Sequence, residues 1–470
     1  PRVDETYLPL GEYHAFNPLV ARAKQARDLF LIIGPPGTGK TSFGLLNLLK
    51  EELLEQETNI LLLSYTNRAV DEICSKLVES HIDFLRIGSE LSCDPAYKDW
   101  LLNSKTGKLK RGSEVEQLLA QTRVVCGTTV ALNASSELFS LKHFHLAIVD
   151  EASQILEPHL IGLLSAHNGD ENAIDRFVLI GDHKQLPAVV QQSEDESLVT
   201  EPDLRHIHLT NCRYSLFERL LKGFKTTQGY DPRYVYMLTR QGRMHTAIAD
   251  FPSRQFYEGK LQIVPLAHQQ LQPQPCASAN GITRILSLRN VAFVDAPAPE
   301  SSVNDKTNQV EAEMIAATIH QIYLLTRSTE KGFSTDHTVG VIVPYRNQIA
   351  TIRGAIDRLG IAVLHNILID TIERFQGSQK DYIVYGFTIQ RPYQLDFLTS
   401  NVFVEDGQQI DRKLNVAMTR ARLHLLLIGN SRLLKKSKVF AELLSYLRQQ
   451  QSYFTPTPED YCNGKFSLTD

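Results

Sequence analysis

At 470 residues with 43% hydrophobic content, the chain can bury a large core but is too long for one ordinary domain, so two or more domains are expected. A formal net charge of -4 with a pI near 6.5 excludes a global basic field, and any grip on nucleic acid must be local. Six cysteines (Cys74, Cys93, Cys126, Cys212, Cys276, Cys462) form no C-x-x-C pair, which excludes a zinc ribbon or an iron–sulfur cluster and leaves buried free thiols.

The opening "PRVDETYLPL" carries no cationic, apolar signal pattern. An intracellular chain is expected, cytoplasmic or, in a eukaryote, nuclear, with room for further sequence upstream. The longest apolar runs, "LFLII" (29–33) and "LLLIG" (425–429), fall far short of the roughly 20 residues that span a bilayer. Strand-length runs then alternate with helix-length amphipathic stretches: "LFLII", "ILLLS" (60–64), "VVCGT" (124–128), "HLAIVD" (145–150) and "RFVLIGD" (176–182). That alternation predicts βαβ units and a parallel sheet. It restarts with "VAFVD" (291–295), "VGVIVP" (339–344), "DYIVYGF" (381–387) and "LHLLLIG" (423–429). The reading is therefore an α/β protein with two domains, 1–212 and 213–450, and an irregular tail over 451–470. A helical insertion is expected at about 88–122. Its basic stretch "KTGKLKRG" (105–112) suits either a solvated loop or a nucleic-acid contact. The stretch "AHQQLQPQPCASANG" (267–281) reads as a surface loop or lid without assigned function.

Between the first strand and the helical "TSFGLLNLLKEELLE" lies "GPPGTGKT", Gly34 to Thr41, which fits G-x-x-x-x-G-K-[ST]. Gly34, Gly37, Thr38 and Gly39 belong to a loop whose backbone N–H groups can turn onto phosphate oxygens, assisted by the helix N-terminus. Lys40 can reach the outer phosphates and Thr41 can ligate Mg²⁺. The partner signal is a carboxylate at the end of another apolar strand, and "HLAIVDEASQ" supplies Asp150 and Glu151. Asp150 suits the magnesium, and Glu151 can polarise a water in line with a γ-phosphate. In "LIGDHKQLPAVV" (179–190), Gln185 can donate one hydrogen bond and accept another, which suits a sensor of the γ-phosphate.

These residues form an ordered series with "LSYTNRAVDEI" (63–73), "VVCGTTVAL" (124–132), "QGRMHTAIADFPSRQFYEGKL" (241–261), "VIVPYRNQ" (341–348), "IDTIERFQGSQKD" (369–381) and "RKLNVAMTRARLHLLLIG" (412–429). The series resembles the motifs of superfamily 1 helicases, in the branch that holds the helicase of nonsense-mediated mRNA decay and the helicase–nuclease of Okazaki-fragment processing. It covers about residues 29 to 430. The resemblance implies two tandem RecA-like P-loop NTPase domains, ATP and Mg²⁺ in the cleft between them, and single-stranded nucleic acid across their top. It also implies that Arg243 and Arg420 act on the γ-phosphate, a role that the permanently charged planar guanidinium fits. Arg422, nearer the following strand, is read instead as a cation meeting a helix C-terminus. Strand-gripping positions carried over from the family are Thr66, Asn67, Thr128, Thr129, Ser253, Pro344, Tyr345, Arg346 and Thr371, where hydroxyls and N–H groups can hold phosphates without reading bases.

Three positions depart from the family pattern. Asn17 stands near the place of an upstream adenine-reading Gln, Gly242 replaces a Tyr, and Gln379, still a candidate nucleotide contact, replaces a Glu. Together they point to loose base preference with the phosphate chemistry intact. The function implied is an ATP-driven translocase and helicase on single strands, DNA in preference to RNA, moving 5′ to 3′, with a nuclease or accessory domain linked upstream in the full protein. The competing readings are a nucleotide-gated binding clamp that never unwinds, an RNA helicase without DNA unwinding and, more distantly, a small-molecule kinase.

Overall fold

In the computed structural model, residues 1–107, 109, 111–272, 281–297 and 304–456 are described. The chain forms two compact units, Pro1–His183 with Pro187–Leu238, and Lys184–Leu186 with Thr239–Asp470.

The first unit is built on seven strands: β1 (Leu29–Ile33), β2 (Ile60–Ser64), β3 (Leu85–Ile87), β4 (Val124–Thr128), β5 (Leu146–Val149), β6 (Phe177–Gly181) and β7 (Val235–Met237). Their order is β7-β1-β6-β5-β2-β4-β3, and every pairing is parallel. Side chains alternate between two apolar layers, as the period of a strand requires. Leu31, Ile33, Leu61 and Leu63 pack with Phe144 and Phe217 on one face. Phe30, Ile32, Ile60 and Leu62 pack with Leu19 and Leu49 on the other. Burial on both faces is why these strands read as continuous hydrophobic runs. The register Ile33↔Gly181 and Leu63↔Val149 delivers Gly34, Asp150 and Asp182 to the same, C-terminal edge of the sheet.

The expected boundary at 212/213 falls inside this unit. Residues 213–238 remain with it because β7 pairs with β1, Leu31 opposite Val235. A three-residue strand offers too little alternation to be read from sequence. The insertion at about 88–122 is helical, with a 3₁₀ turn at Pro95–Trp100 and helices at Leu102–Thr106 and Gly112–Gln121. Within its basic stretch Lys105 pairs with Asp83 at 3.1 Å, while Lys108 and Lys110 lie outside the described residues.

The second unit carries β8 (Val291–Asp295), β9 (Val339–Val343), β10 (Leu368–Thr371), β11 (Lys380–Gly386), β12 (Ala421–Gly429) and β13 (Tyr453–Phe454). Their order is β10-β9-β11-β12-β8-β13, again wholly parallel. The tail expected to be irregular thus begins with an edge strand, Phe293 opposite Tyr453. Residues 457–470 lie outside the described residues. The long helix Gln309–Thr326 contributes Ile315, Ile319 and Ile322 to the layer that also holds Val341, Val384 and Leu426. Two parallel sheets with helices over them agree with the tandem RecA-like reading.

Candidate active site and nucleic-acid interface

At the end of β1 the chain turns tightly, and two glycines take left-handed conformations there, Gly37 at φ 76 and Gly39 at φ 74. Gly34 N–H bonds the Gly181 carbonyl at 2.9 Å, and a Cβ on Gly34 would come within 2.7 Å of the Lys40 side chain. A side chain at Gly34 would therefore crowd Lys40. Thr38, buried, closes the loop by donating its hydroxyl to the Pro35 carbonyl at 2.7 Å.

Lys40 and Thr41 open the following helix, and each meets a carboxylate from the end of β5. Thr41 Oγ1 donates to Asp150 Oδ2 at 2.6 Å, and Lys40 Nζ lies 2.6 Å from Glu151 Oε1. Glu151 sits in the left-handed region, φ 53, which a non-glycine residue adopts at some cost in strain. Its own N–H bonds Asp150 Oδ1 at 2.9 Å, and Gln154 Nε2 donates to Glu151 Oε2 at 3.0 Å. Burial, with the Glu151 charge beside it, pushes the Asp150 carboxyl up to about 6. Burial works against the charge of Lys40, but Glu151, Asp150 and Asp182 outweigh it and hold the ammonium above its ordinary range. A hydroxyl and a carboxylate in contact are hard oxygen donors of the kind Mg²⁺ takes. The residues present thus fit a magnesium-bound polyphosphate.

Gln185 belongs to the Lys184–Leu186 segment that groups with the second unit. Asn415 Nδ2 donates to the Lys184 carbonyl at 2.7 Å, and Lys184 Nζ pairs with Glu405 at 2.7 Å. Gln185 Oε1 accepts a hydrogen bond from Arg420 Nη2 at 2.9 Å. Arg420, 3% exposed, follows the helix Arg412–Met418, whose N-cap is Asp411. It turns its Nε back to the Val416 carbonyl at 3.3 Å. Arg243 Nη1 donates to the Thr419 carbonyl at 3.2 Å, so both predicted arginines converge on one segment. Arg422, read from sequence as a helix C-terminal cation, instead lies within β12 and pairs with Asp381 at 2.8 Å. The helix has already ended at Met418.

The backbone around Arg243 is fixed by residues that sequence reasoning missed. Gln241 Oε1 accepts from the Arg243 and Met244 N–H groups at 2.9 and 2.7 Å. Gln269, fully buried, donates to the Gln241 and Met244 carbonyls at 2.9 and 3.0 Å. The loop left without function thus begins as a brace for this turn. Its residues 273–280 lie outside the described residues. Gln379 is exposed, immediately ahead of β11.

Of the positions expected to grip a strand, four come together. Register Val343↔Thr371 places Pro344, Tyr345, Arg346 and Thr371 at adjacent strand ends. They line a groove of about 730 Å³ with Lys306, Asn347, Glu373, Arg374, Tyr393, Gln394 and Phe397. Tyr345 stacks on Phe397 at 5.0 Å, and Tyr393 leaves 61% of its surface exposed. The groove's three cations, Lys306, Arg346 and Arg374, outnumber its one carboxylate, Glu373, and cations beside exposed rings suit a single strand. In the first unit, Thr66 caps the helix Asn67–Glu79, accepting from Ala69 N–H at 3.2 Å, and Thr128 accepts from Ala131 N–H at 3.1 Å. Thr128, Thr129, Ser253 and Thr371, all expected at the strand-binding surface, have little exposed surface, and Ser253 gives its hydroxyl to the Leu261 carbonyl at 2.9 Å. Sequence spacing alone does not tell which of two adjacent threonines caps the helix.

Two protein-family models, each described as an AAA domain, match the chain, one over residues 17–111 and 96–193, the other over 212–432. The "DNA replication ATP-dependent helicase/nuclease DNA2" of Xenopus laevis is 28% identical over 92% of this chain and 38% of its own length. The "DNA replication ATP-dependent helicase/nuclease JHS1" of Arabidopsis thaliana is 30% identical over 93% of this chain and 30% of its own. "Regulator of nonsense transcripts 1" of Dictyostelium discoideum is 28% identical over 90% of this chain and 31% of its own. The chain therefore spans about a third of the length of these relatives.

Proposed function

This chain belongs to the superfamily 1 helicases, in the branch of the nonsense-mediated decay helicase and the Okazaki-fragment helicase–nuclease, and from that membership we propose that it is an ATP-driven translocase and helicase on single strands, DNA in preference to RNA, moving 5′ to 3′. The observation that carries the reading is the convergence of Lys40 on Glu151 and of Thr41 on Asp150 at the ends of two parallel strands.

In this reading the Gly34–Thr41 loop holds the triphosphate through its backbone N–H groups and Lys40. Thr41 and Asp150 would hold Mg²⁺, which when bound would supply positive charge to offset that of the phosphates. Glu151 orients a water and takes its proton as that water attacks the γ-phosphorus, so the bond to the bridging oxygen breaks and the charge passes to the diphosphate. Arg243 and Arg420 stabilise charge on the transferring group. For Arg420 that means exchanging its bond to Gln185 for phosphate oxygens, a change Gln185 can report. The groove at Tyr345, Arg346 and Tyr393 takes the strand by phosphate charge and base stacking, without sequence readout.

Displacement of a labelled strand from duplexes bearing a 5′ or a 3′ single-stranded tail, in DNA and in RNA, tests the reading. ATP-dependent displacement from 5′-tailed DNA is expected. Hydrolysis without displacement on any of the four substrates would replace the motor by a nucleotide-gated clamp.

A further inference from the structure

Beside the phosphate loop stands a ring pair that the chemistry above does not use. Phe43 comes three residues after Lys40. Its N–H and that of Gly44 both bond the Gly39 carbonyl, at 2.8 and 3.0 Å, in a widened first helical turn. Such turns often mark functional positions. A Cβ on Gly39 would fall 2.6 Å from Phe43 Cδ2, so the ring lies directly against the glycine turn of the loop. Phe43 nevertheless leaves 56% of its surface exposed. It stacks on Phe16 at 5.6 Å with 21° between the planes.

Phe16 is held from behind. The segment ahead of it is pinned by Glu51, whose carboxylate accepts from the Leu10 and Gly11 N–H groups at 2.8 and 3.0 Å and from the Tyr13 hydroxyl at 2.9 Å. Two side-chain amides of this N-terminal segment bond within it. Asn17 accepts from Tyr13 N–H at 2.6 Å and donates to Glu12 at 2.5 Å, and Gln25 donates to the Glu5 carbonyl at 3.5 Å. The group that stands directly against the loop is the Phe43 ring, with one face open.

We propose that the exposed face of Phe43, backed by Phe16, is the platform on which the base of the bound nucleoside triphosphate stacks, so that the base is held by its π face and its identity is not read. The proposal rests on the reading of Gly34–Thr41 as the triphosphate loop. Every nucleobase has a π face, so stacking tolerates exchange of one base for another. Phe43 is on this account a specificity-determining residue, and the specificity it sets is broad.

The test is equilibrium displacement of an N-methylanthraniloyl nucleotide from the full chain by Mg²⁺-ATP, Mg²⁺-GTP and Mg²⁺-tripolyphosphate, which has no base. In the wild type, ATP and GTP should compete within about threefold of each other, each better than tripolyphosphate by about tenfold or more, as stacking on an aromatic ring implies. Phe43→Ala should weaken ATP and GTP alike by about tenfold and leave tripolyphosphate unchanged, and Phe43→Trp should restore both nucleotides. A preference for ATP over GTP of about a hundredfold would overturn the proposal, as would Phe43→Ala leaving all three competitors unchanged or weakening tripolyphosphate equally. Failure of tripolyphosphate and both nucleotides to compete in the wild type would instead strike the loop assignment, and the platform with it.

Discussion

Lys40 and Glu151 form an ion pair, Nζ to Oε1 at 2.6 Å, which ties the phosphate loop to the residue best placed to act as base. A triphosphate entering the loop must compete with Glu151 for the ammonium. Glu151→Gln removes that competitor together with the base. The variant should bind ATP at least as tightly as the wild type while turnover falls by about 10² to 10⁴. Equilibrium binding and single-turnover hydrolysis on the same preparation check both halves. Unchanged turnover would remove Glu151 from the chemistry.

Asp150 makes a second prediction through its raised carboxyl, pushed up to about 6 by burial and the Glu151 charge. A raised carboxylate is protonated over a higher pH range than a free one, and a protonated Asp150 is a poor magnesium ligand. Hydrolysis should therefore decline as pH falls through about 6, and excess Mg²⁺ should move the midpoint lower by competing with the proton. A pH–rate profile at two Mg²⁺ concentrations reads this. A midpoint at about 4 at both concentrations, the range of an ordinary aspartate, would contradict it.

In the groove of the second unit, Arg346 and Tyr393 are assigned different work. Arg346→Ala should weaken single-strand binding and reduce the slope of log affinity against log salt by about 1. Tyr393→Ala should weaken binding by about tenfold with little change in that slope, because stacking releases no counterion. Anisotropy titrations at several salt concentrations separate the two. Equal slopes in both variants would refute the division.

Glu311 concerns stability and not catalysis. It is fully buried near the start of the helix Gln309–Thr326, accepts from Thr388 N–H at 2.7 Å, and burial pushes its carboxyl up to about 8. A pKa raised on folding contributes stability present below the unfolded value and lost as pH rises through the folded one. The wild type should therefore lose stability between about pH 4.3, the value of an unperturbed glutamate, and about pH 8. Glu311→Gln should flatten that dependence and melt above the wild type at alkaline pH. Parallel melting curves against pH would contradict the account.

The phosphate loop, the Asp150–Glu151 pair and most strands were legible because each is a local pattern: an apolar run, a turn of glycines, a charge at a strand end. Residues 213–238 escaped because a three-residue strand, β7, carries no periodicity and decides the boundary only by pairing with β1. Gln269 escaped because its partners, Gln241 and Met244, lie more than twenty residues away in sequence, and an amide in a glutamine-rich loop looks like any solvated one. Arg422 was misread for a related reason: Asp381, which holds it, is a neighbour across the sheet and not along the chain. Phe43 stands in plain view after the loop, but its stacking partner, Phe16, lies in a distant stretch of the chain, and its open face is set by packing.

The central claim is hydrolysis of ATP driven by a bound single strand, and the most direct measurement is the steady-state ATPase rate with and without single-stranded DNA or RNA. The account predicts strong stimulation by DNA in the wild type, none in Lys40→Ala, and a stimulated rate lowered by about 10³ or more in Arg420→Ala with ATP binding retained. A rate indifferent to both nucleic acids, or one that survives Arg420→Ala undiminished, would contradict it.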